Sequence, residues 1–284
     1  ELDLLNSDQF FDYYKNILPT YKRGAANTDW QSEIYRPGFV SNTQLSFSGG
    51  TDAIKYYVSG NYFNQQGVII NSGLERYTIL SNLDATVTSK LKVGLNFYKS
   101  HIANNGIISQ TNTGGTGSAG VVSSAYRFVP DLGIYDAAGA YTLNTVGDVI
   151  DNPYATAVEN VNDRINDANR INFYAAYEIV KGLEFKTTFG LSSETNQYGK
   201  YQPSTVVAAK ALKGIASIFN SSQTNIISEN YLTYKTDLWL GKFTVLGGYS
   251  YQKVEFESST AAASGFVTDS FSYHNLGGGA IPIK

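Results

Sequence analysis

The sequence is poor in several residue types that other classes of protein require. Its 284 residues include no cysteine, no methionine and only two histidines. Without cysteine, neither disulfides nor thiolate metal sites are available. No stretch approaches the roughly 18 uninterrupted apolar residues that a transmembrane helix needs, so insertion into a membrane as helices is excluded.

Charge is also scarce. Charged residues make up 16% of the chain, the net charge is -3, and no basic run is longer than Lys22-Arg23. Nucleic acid is therefore not expected as a partner. The chain begins Glu-Leu-Asp without the charged, apolar and small-residue zones of a signal peptide, and we expect it to be a piece of a longer, processed protein.

Tyrosine, phenylalanine and glycine are abundant instead, with 22, 15 and 27 residues. A chain rich in tyrosine and glycine, poor in charge and free of long apolar runs is typical of a membrane β-barrel. The strands of such a barrel span lipid while exposing only alternate residues to it. This composition predicts an all-β protein.

The segment 42–84 shows the pattern on which this prediction depends. Between Ala53 and Asn64, one set of alternate side chains is mostly apolar: Ile54, Tyr56, Val58, Gly60 and Tyr62. The other set is more polar: Lys55, Tyr57, Ser59, Asn61 and Phe63. Successive strand residues point to opposite faces, so this segment is predicted to be a strand with one apolar and one polar face. The same reasoning predicts about eight strands, near 42–50, 53–65, 74–87, 90–101, 167–180, 182–195, 226–240 and 242–256.

The later strands repeat the two faces. The side chains expected to face lipid are Tyr77, Ile79, Leu83, Ala85, Val87, Leu91, Val93, Leu95, Phe97, Ile171, Phe173, Ala175, Tyr177, Ile179, Leu183, Phe185, Phe189 and Leu191. The side chains expected on the opposite face are Arg76, Thr78, Asn82, Asp84, Lys92, Asn96, Asn172, Glu178, Glu184, Lys186 and Thr188.

The connections between the predicted strands alternate strictly between two lengths. Tight turns of the kind that hairpins prefer lie at 49–52, 88–90, 181–182 and 241–242. Long connections lie at about 65–73, 102–166, 196–225 and from 257 to the end. In an antiparallel up-and-down arrangement, every short turn then lies at one rim and every long loop at the other, as in outer-membrane barrels. A soluble sandwich has no physical reason for this segregation, so an antiparallel up-and-down transmembrane β-barrel is predicted.

Other segments carry weaker signals. Residues 7–18 predict a short amphipathic helix that ends before Pro19, and 20–37 read as a connecting segment. In the longest loop, 104–120 is a polar tract expected to be mobile, and Asp151-Asn152-Pro153 predicts the start of a short helix. The run 160–169 is rich in Asn and Asp and has oxygen ligands for Ca²⁺, but it lacks the spacing of a calcium loop, so a solvated loop is favoured.

Catalytic constellations are not evident. His101 and His274 lie at predicted strand or loop ends, outside any GxSxG or HExxH context, and a solvated or interfacial histidine is favoured over a catalytic base. Glu178 and Glu184 are expected on the polar face of adjacent strands, where a hydrated network explains them more simply than acid catalysis. Tyr57, Phe63 and Tyr98 are placed to stack on sugar rings, although most tyrosines are expected in interfacial girdles. The chain is not expected to be an enzyme or to need a cofactor or metal.

The residues described above resemble the SusC/RagA family of TonB-dependent outer-membrane transporters from Bacteroidetes-type Gram-negative bacteria. The motifs that carry the resemblance are Asp29-Trp30-Gln31, Leu45-Ser46-Phe47-Ser48-Gly49-Gly50, Tyr56-Tyr57-Val58-Ser59, Gly60-Asn61-Tyr62-Phe63-Asn64-Gln65-Gln66-Gly67, Glu75-Arg76-Tyr77, Asn82-Leu83-Asp84 and Leu91-Lys92-Val93-Gly94. They cover about residues 27 to 100 closely, and the remaining chain follows only the rhythm of strands and loops. Leu80 departs from the family pattern, which has a polar residue facing the lumen at that position.

The resemblance implies a plugged barrel of about 22 strands, of which this chain supplies about eight. Residues 1–41 would be a connector with a short helix that leads into the barrel, and 42–284 would be the N-terminal part of the barrel wall. The full protein would import large nutrients, glycans or peptides, across the outer membrane, with the long loops extracellular. A lipoprotein of the SusD type would cover the extracellular mouth, and TonB, acting through the missing N-terminal part, would displace the plug.

Two other classes of function remain open at this stage. One is a small autonomous outer-membrane barrel with a structural or adhesion role, and the other is a barrel hydrolase with a histidine-based site. For the transporter, the candidates for contact with substrate or plug are the predicted lumen-facing side chains Lys55, Tyr57, Asn61, Arg76, Asn82, Asp84, Lys92, Asn96, Glu178 and Lys186.

Overall fold

A single antiparallel sheet makes up most of the chain in the computed structural model, which describes residues 2–107, 120–144, 146–147 and 149–283. Nine strands follow one another in chain order across this sheet. They are β1 (Val40–Gly50), β2 (Ile54–Gln66), β3 (Gly73–Thr86), β4 (Leu91–Asn105), β5 (Val161–Val180), β6 (Leu183–Gln202), β7 (Ile215–Leu238), β8 (Gly241–Phe266) and β9 (Gly279–Ile283). The helices are α1 (Ser7–Tyr14), α2 (Trp30–Ile34), α3 (Val121–Arg127), α4 (Pro153–Glu159), α5 (Val207–Lys210) and a 3₁₀ helix, Ser272–Gly278. Among the described residues, no helix is long and apolar enough to cross a membrane.

The up-and-down arrangement predicted from the connections is confirmed, because each strand pairs with the next one in the chain. The sheet is open, since β1 at one edge and β9 at the other are not neighbours. The short turns lie at one rim of the sheet, which we call the short-turn rim, and the long connections lie at the other, the long-loop rim. Val40 pairs with Gln65, so β1 starts at the long-loop rim.

Strand register separates the side chains into two faces. Leu83 lies opposite Leu95, Leu95 opposite Phe173, and Phe173 opposite Phe189, which makes one continuous apolar row across four strands. Directly opposite residues point to the same side of a sheet. The paired members of the set expected to face lipid therefore share one face, which we call the apolar face. The other side of the sheet is the polar face.

Several strands continue further towards the long-loop rim than the sequence predicts. β5 starts at Val161 instead of 167, β6 ends at Gln202 instead of 195, β7 starts at Ile215 instead of 226, and β8 ends at Phe266 instead of 256. In these extensions both faces carry polar residues, such as Asn196 beside Gln197, so the apolar alternation that marks a strand disappears.

Two predictions about the long loops are therefore wrong. The Asn/Asp-rich run 160–169 is not a solvated loop, because its backbone from Val161 onward pairs with β4 and β6. The segment from 257 to the end is not one loop, because β8 continues to Phe266 and the ninth strand, β9, follows it. The expected mobility of 104–120 falls mostly on residues outside the described part of the chain.

The short helices follow from their capping residues. Asn6 and Gln9 form a reciprocal capping box at the start of α1, which ends at Tyr14 rather than at residue 18. Asp29 accepts from the backbone amides of Gln31 and Ser32, and this cap starts α2 inside the segment predicted to be only a connection. The helix predicted after residue 151 is α4, with Asn152 as its cap and proline at its first turn.

A second structural unit covers the long-loop rim and is built from the connections themselves. We call it the loop layer and define it as residues 2–39, 67–72, 120–144, 149–160 and 203–214. Its apolar core consists of Trp30, Ile34, Val121, Val122, Ala125, Phe128, Ile150 and Ala157. Trp30 donates from Nε1 to the carbonyl oxygen of Val129 at 2.9 Å, and the Ile70 amide donates to the carbonyl oxygen of Ile34 at 2.9 Å. The segment before β1 and the β4–β5 connection are thus packed together.

Asp151 joins two parts of the loop layer. Its carboxylate is buried and accepts a hydrogen bond from the backbone amide of Val207 at the start of α5. Burial raises the pKa of Asp151 above its ordinary value, and the amides of Val207 and Ala208 offset part of that rise. A raised pKa means that the charged form is disfavoured in the folded loop layer. The stability linked to this group is therefore present below the unfolded pKa and is lost as the pH rises through the folded pKa.

We expect Asp151→Asn to stabilise the link between α5 and the rest of the loop layer at pH 7. Asparagine keeps the oxygen that accepts from Val207 but removes the buried charge. Hydrogen exchange of the 203–214 amides should be slower in the variant at pH 7, and the difference should shrink as the pH falls towards 4. Asp151→Leu is the comparison, since it removes the acceptor; slower exchange in that variant as well would contradict the role given to the hydrogen bond.

Candidate functional site

The polar face is the surface that brings the predicted contact residues together. All ten lie on it by register: Lys55, Tyr57, Asn61, Arg76, Asn82, Asp84, Lys92, Asn96, Glu178 and Lys186. Leu80 shares this face, because it lies opposite Ser59 on one side and Tyr98 on the other. The polar face extends from the short-turn rim to the loop layer.

A row of amide side chains crosses the middle of the polar face. Asn82 lies opposite Tyr57 and Asn96, and Asn96 lies opposite Asn172. Asn96 donates from Nδ2 to Oδ1 of Asn82 at 2.9 Å. Each amide group has both donors and an acceptor, so this row retains hydrogen-bonding capacity for hydroxyl or peptide groups beyond the bonds within the wall.

One row nearer the short-turn rim, three strands are linked by charged and aromatic side chains. Tyr174 donates from its hydroxyl to Oδ1 of Asp84 at 2.6 Å, reaching from β5 across β4 to β3. Lys186 holds its ammonium 5.3 Å from the centre of the Tyr174 ring. The ring lies over Gly94, where an added Cβ would stand 2.0 Å from Cε1 of Tyr174. A glycine at position 94 is therefore what lets Tyr174 reach Asp84.

We expect Gly94→Val to displace Tyr174 and break its hydrogen bond to Asp84. The new side chain would occupy the space of the ring, and overpacking of this kind costs about 1–3 kcal/mol. The readout is the temperature at which the full-length protein loses its heat-modifiable gel mobility. Gly60→Val serves as the control, because nothing lies within 4 Å of a Cβ built there. If both variants lowered this temperature equally, the cause would be the replacement of a strand glycine by valine in general, and not the contact with Tyr174.

Three arginines on the polar face lie over aromatic rings on neighbouring strands. Their guanidinium carbons stand 5.1 Å from the ring centre for Arg76 over Phe63, 5.2 Å for Arg164 over Tyr198 and 5.7 Å for Arg170 over Tyr98. Each arginine is directly opposite its ring in the register.

Sequence reasoning missed two of these pairs. Arg164 and Tyr198 lie in the strand extensions that were taken for loops, and Arg170 was within a predicted strand but was not singled out. No alternation in 161–166 or 196–202 marks these extensions as strands, since charged Asp163 and Arg164 are adjacent, so the pairs become visible only through the register.

The paired carboxylates Glu178 and Glu184 lie directly opposite each other near the short-turn rim. Like charges in this position repel. Glu178 uses Oε1 to accept from the backbone amide of Gly182 at 3.2 Å in the turn between their strands. The Glu178 carboxylate is thus bound to the backbone of the β5–β6 turn.

The two histidines lie away from the polar face. His101 pairs through Nδ1 with Oδ1 of Asp167 at 2.8 Å, and its neighbour in register is Tyr77 on the apolar face. In the part of the chain that the structure describes, no hydroxyl bonds to His101, so the pair lacks a nucleophile. His274 lies in the 3₁₀ helix with its ring centre 4.1 Å from that of Tyr273. Among the described residues no three His, Asp or Glu side chains are grouped to hold a metal ion.

Comparison with known proteins places this arrangement among TonB-dependent barrels. No protein-family model matches the chain. The chain is 54% identical over 283 residues to TonB-dependent receptor P3 of Formosa agariphila, covering 100% of this chain and 28% of that relative. It is 33% identical over 85 residues to TonB-dependent receptor SusC of Bacteroides thetaiotaomicron, covering 28% of this chain and 8% of that relative.

The fold comparison agrees with the sequence comparison. A solved structure of the RagAB peptide transporter matches 96% of this chain with a TM-score of 0.72 at 19% identity, and the match covers 31% of that chain. The resemblance to TonB-dependent transporters of the SusC/RagA type that the sequence predicted is therefore confirmed. The chain spans less than a third of the length of these relatives.

Proposed function

We propose that this chain, a segment of a TonB-dependent barrel of the SusC/RagA type, forms part of the wall of an outer-membrane importer of large nutrients. The observation that carries the proposal is the separation of the sheet into one continuous apolar face and one polar face, with all short turns at one rim. The apolar face would contact lipid, and the polar face would line the lumen.

The open edges of the sheet support a place in a larger barrel. β1 has a free edge, and unpaired backbone groups in lipid cost several kcal/mol each. A wall that continues beyond both edges satisfies those groups, whereas the small autonomous barrel considered above requires closure between the first and last strands.

We further propose that the long-loop rim is extracellular. In that orientation the loop layer lies at the cell surface, where a SusD-type lipoprotein would cover it, and TonB would act from the short-turn side through a part of the protein outside this chain. Residues 1–41 would lead into the wall from the loop layer, since β1 starts at the long-loop rim.

Single cysteines provide a direct test of orientation, because the chain contains none of its own. Val267 is 98% exposed after β8 at the long-loop rim, and Trp239 is 92% exposed in the β7–β8 turn. In the full-length protein, Val267→Cys should react with a membrane-impermeant maleimide in intact cells, and Trp239→Cys only after the outer membrane is permeabilised. The reverse pattern would overturn the proposed orientation.

Transport itself is tested in a strain that carries the full-length gene. Deletion should abolish uptake of the labelled glycan or peptide that supports growth, and the restored gene should recover it. Collapse of the proton-motive force should stop uptake in the restored strain. Uptake that survives either the deletion or the collapse would contradict energy-dependent import by this protein.

A further inference from the structure

The arginines of the three arginine–aromatic pairs, Arg76, Arg164 and Arg170, have no carboxylate partner among the described residues. Nε of Arg76 is buried and has no hydrogen-bond partner among the described residues. Each guanidinium lies over an aromatic ring of a neighbouring strand, and the nitrogens of an arginine can bond two oxygens of a carboxylate, sulfate or phosphate group at once.

The surrounding charge is not balanced. The acids Asp84, Glu178, Glu184 and Glu229 lie on the polar face nearer the short-turn rim than the arginines. On the described polar face beyond the level of Arg170, towards the long-loop rim, Glu194 is the one carboxylate, and it accepts a hydrogen bond from Asn166 at 2.9 Å. This half of the polar face therefore carries an excess of positive charge that attracts anions.

The spacing of the arginines excludes a single small anion as their common ligand. Arg164 and Arg170 are six residues apart on β5, which separates them by about 20 Å along the strand. Arg76 lies opposite Ile102, and Ile102 lies opposite Asn166, so Arg76 is two strands from β5, about 10 Å sideways. A polymer with repeated negative charges can contact all three arginines at once.

The groups between the arginines favour a glycan over an acidic peptide. Asn166 donates from Nδ2 to Oδ1 of Asn196 at 2.7 Å, and amides of this kind offer donors and acceptors to sugar hydroxyls. Tyr198 and Phe219 lie opposite each other with ring centres 5.7 Å apart and planes inclined at 51°, and they add aromatic surface beside Arg164 against which a sugar ring can pack.

We propose that the half of the polar face nearest the loop layer binds anionic glycans through Arg76, Arg164 and Arg170. The repeated carboxylate or sulfate groups of the polymer would contact the arginine forks, and its hydroxyls would contact the intervening amides. This proposal rests on the import function proposed above and assigns to it a class of substrate.

The test measures binding to the full-length protein in detergent, with four probes of similar length: dextran sulfate, oligogalacturonate, neutral dextran and oligoglutamate. The wild type should bind the first two more tightly than the others, with an affinity that falls as salt is raised. A triple variant with Arg76→Gln, Arg164→Gln and Arg170→Gln should lose at least tenfold in affinity for both anionic glycans. The matching triple lysine variant should lose less, because it keeps the charge but not the fork.

The control removes the same amount of charge elsewhere, with Lys22→Gln, Lys90→Gln and Lys181→Gln, and should bind as the wild type does. Heat-modifiable mobility of every variant confirms that the barrel is folded. Unchanged binding in the arginine-to-glutamine variant, an equal loss in the control, or equal binding of neutral dextran would overturn the proposal. Tighter binding of oligoglutamate would assign the surface to acidic peptides instead.

Failure of the binding test and failure of the transport test lead to different conclusions. A protein that imports a neutral nutrient in an energy-dependent manner but binds neither anionic glycan retains its proposed function and lacks the proposed substrate class. A protein without energy-dependent uptake of any nutrient fails the function itself.

Discussion

Leu95→Arg is expected to destabilise the inserted full-length barrel by about 2–4 kcal/mol, the cost of arginine on a lipid-facing strand near the middle of the membrane, and Phe185→Arg, closer to the β5–β6 turn, is expected to cost less. Both side chains are on the apolar face, where Leu95 lies opposite Leu83 and Phe173, and Phe185 lies opposite Tyr177 and Leu232. The measurement is the denaturant midpoint of refolding into lipid vesicles.

The matched controls are Asn96→Arg and Lys186→Arg. Each is the immediate chain neighbour of a test position, and each side chain lies on the polar face. Each control position lies at nearly the same depth in the membrane as its test position. The comparison therefore isolates the effect of the face of the sheet to which the side chain points. Similar midpoints for Leu95→Arg and Asn96→Arg, or for the other pair, would mean that the apolar face does not contact lipid.

Trp30→Ala is expected to produce the second large effect, a loss of about 3–5 kcal/mol in the local stability of the loop layer. Trp30 is 2% exposed, and its ring centre lies 4.6 Å from that of Phe128. Truncation also leaves the carbonyl oxygen of Val129 without its indole donor. Hydrogen exchange of the 120–144 amides should become faster by about two to four orders of magnitude, while exchange in β2 to β4 stays unchanged.

Trp239→Ala is the control for this variant, since the chain has only two tryptophans and this one is 92% exposed in a short turn. It should leave exchange in the loop layer as it is in the wild type. If Trp30→Ala also accelerated exchange in β2 to β4, the loop layer and the sheet would form one cooperative unit, and the separation drawn between them would be wrong.

The sequence allowed the central part of β1 to β8 to be predicted, because one face of the sheet is apolar there and the other is polar. Leu91, Val93, Leu95 and Phe97 reveal β4 without any knowledge of its neighbours. Nearer the long-loop rim, both faces of the sheet carry polar residues. There, nothing in a single strand distinguishes an extension such as 196–202 from a loop. β9 was hidden for a related reason, since it has five residues and includes Pro282, which argues against a strand.

The sequence predicted that the candidate site residues share one face of the sheet, as the register shows, but it did not predict their partners. That Tyr174 reaches Asp84 depends on the register of three strands and on the missing side chain at Gly94. The pairing of Arg164 with Tyr198 likewise requires knowledge of which residue of β6 lies opposite it. Register is set by cross-strand packing and turn geometry together, and neither can be read from one strand alone.

The length of the β7–β8 ladder limits how this region can change in evolution. β7 and β8 pair without a break from Leu238 and Gly241 to Ile215 and Ser264. Loss of one residue in the middle of β8 would turn every side chain on one side of the deletion to the opposite face, so neighbours such as Tyr251 and Gln252 would exchange surroundings. Relatives that differ in the length of these strands are therefore expected to differ by pairs of residues or at the rims, and an engineered tag is best inserted next to Val267, which is 98% exposed at the end of β8.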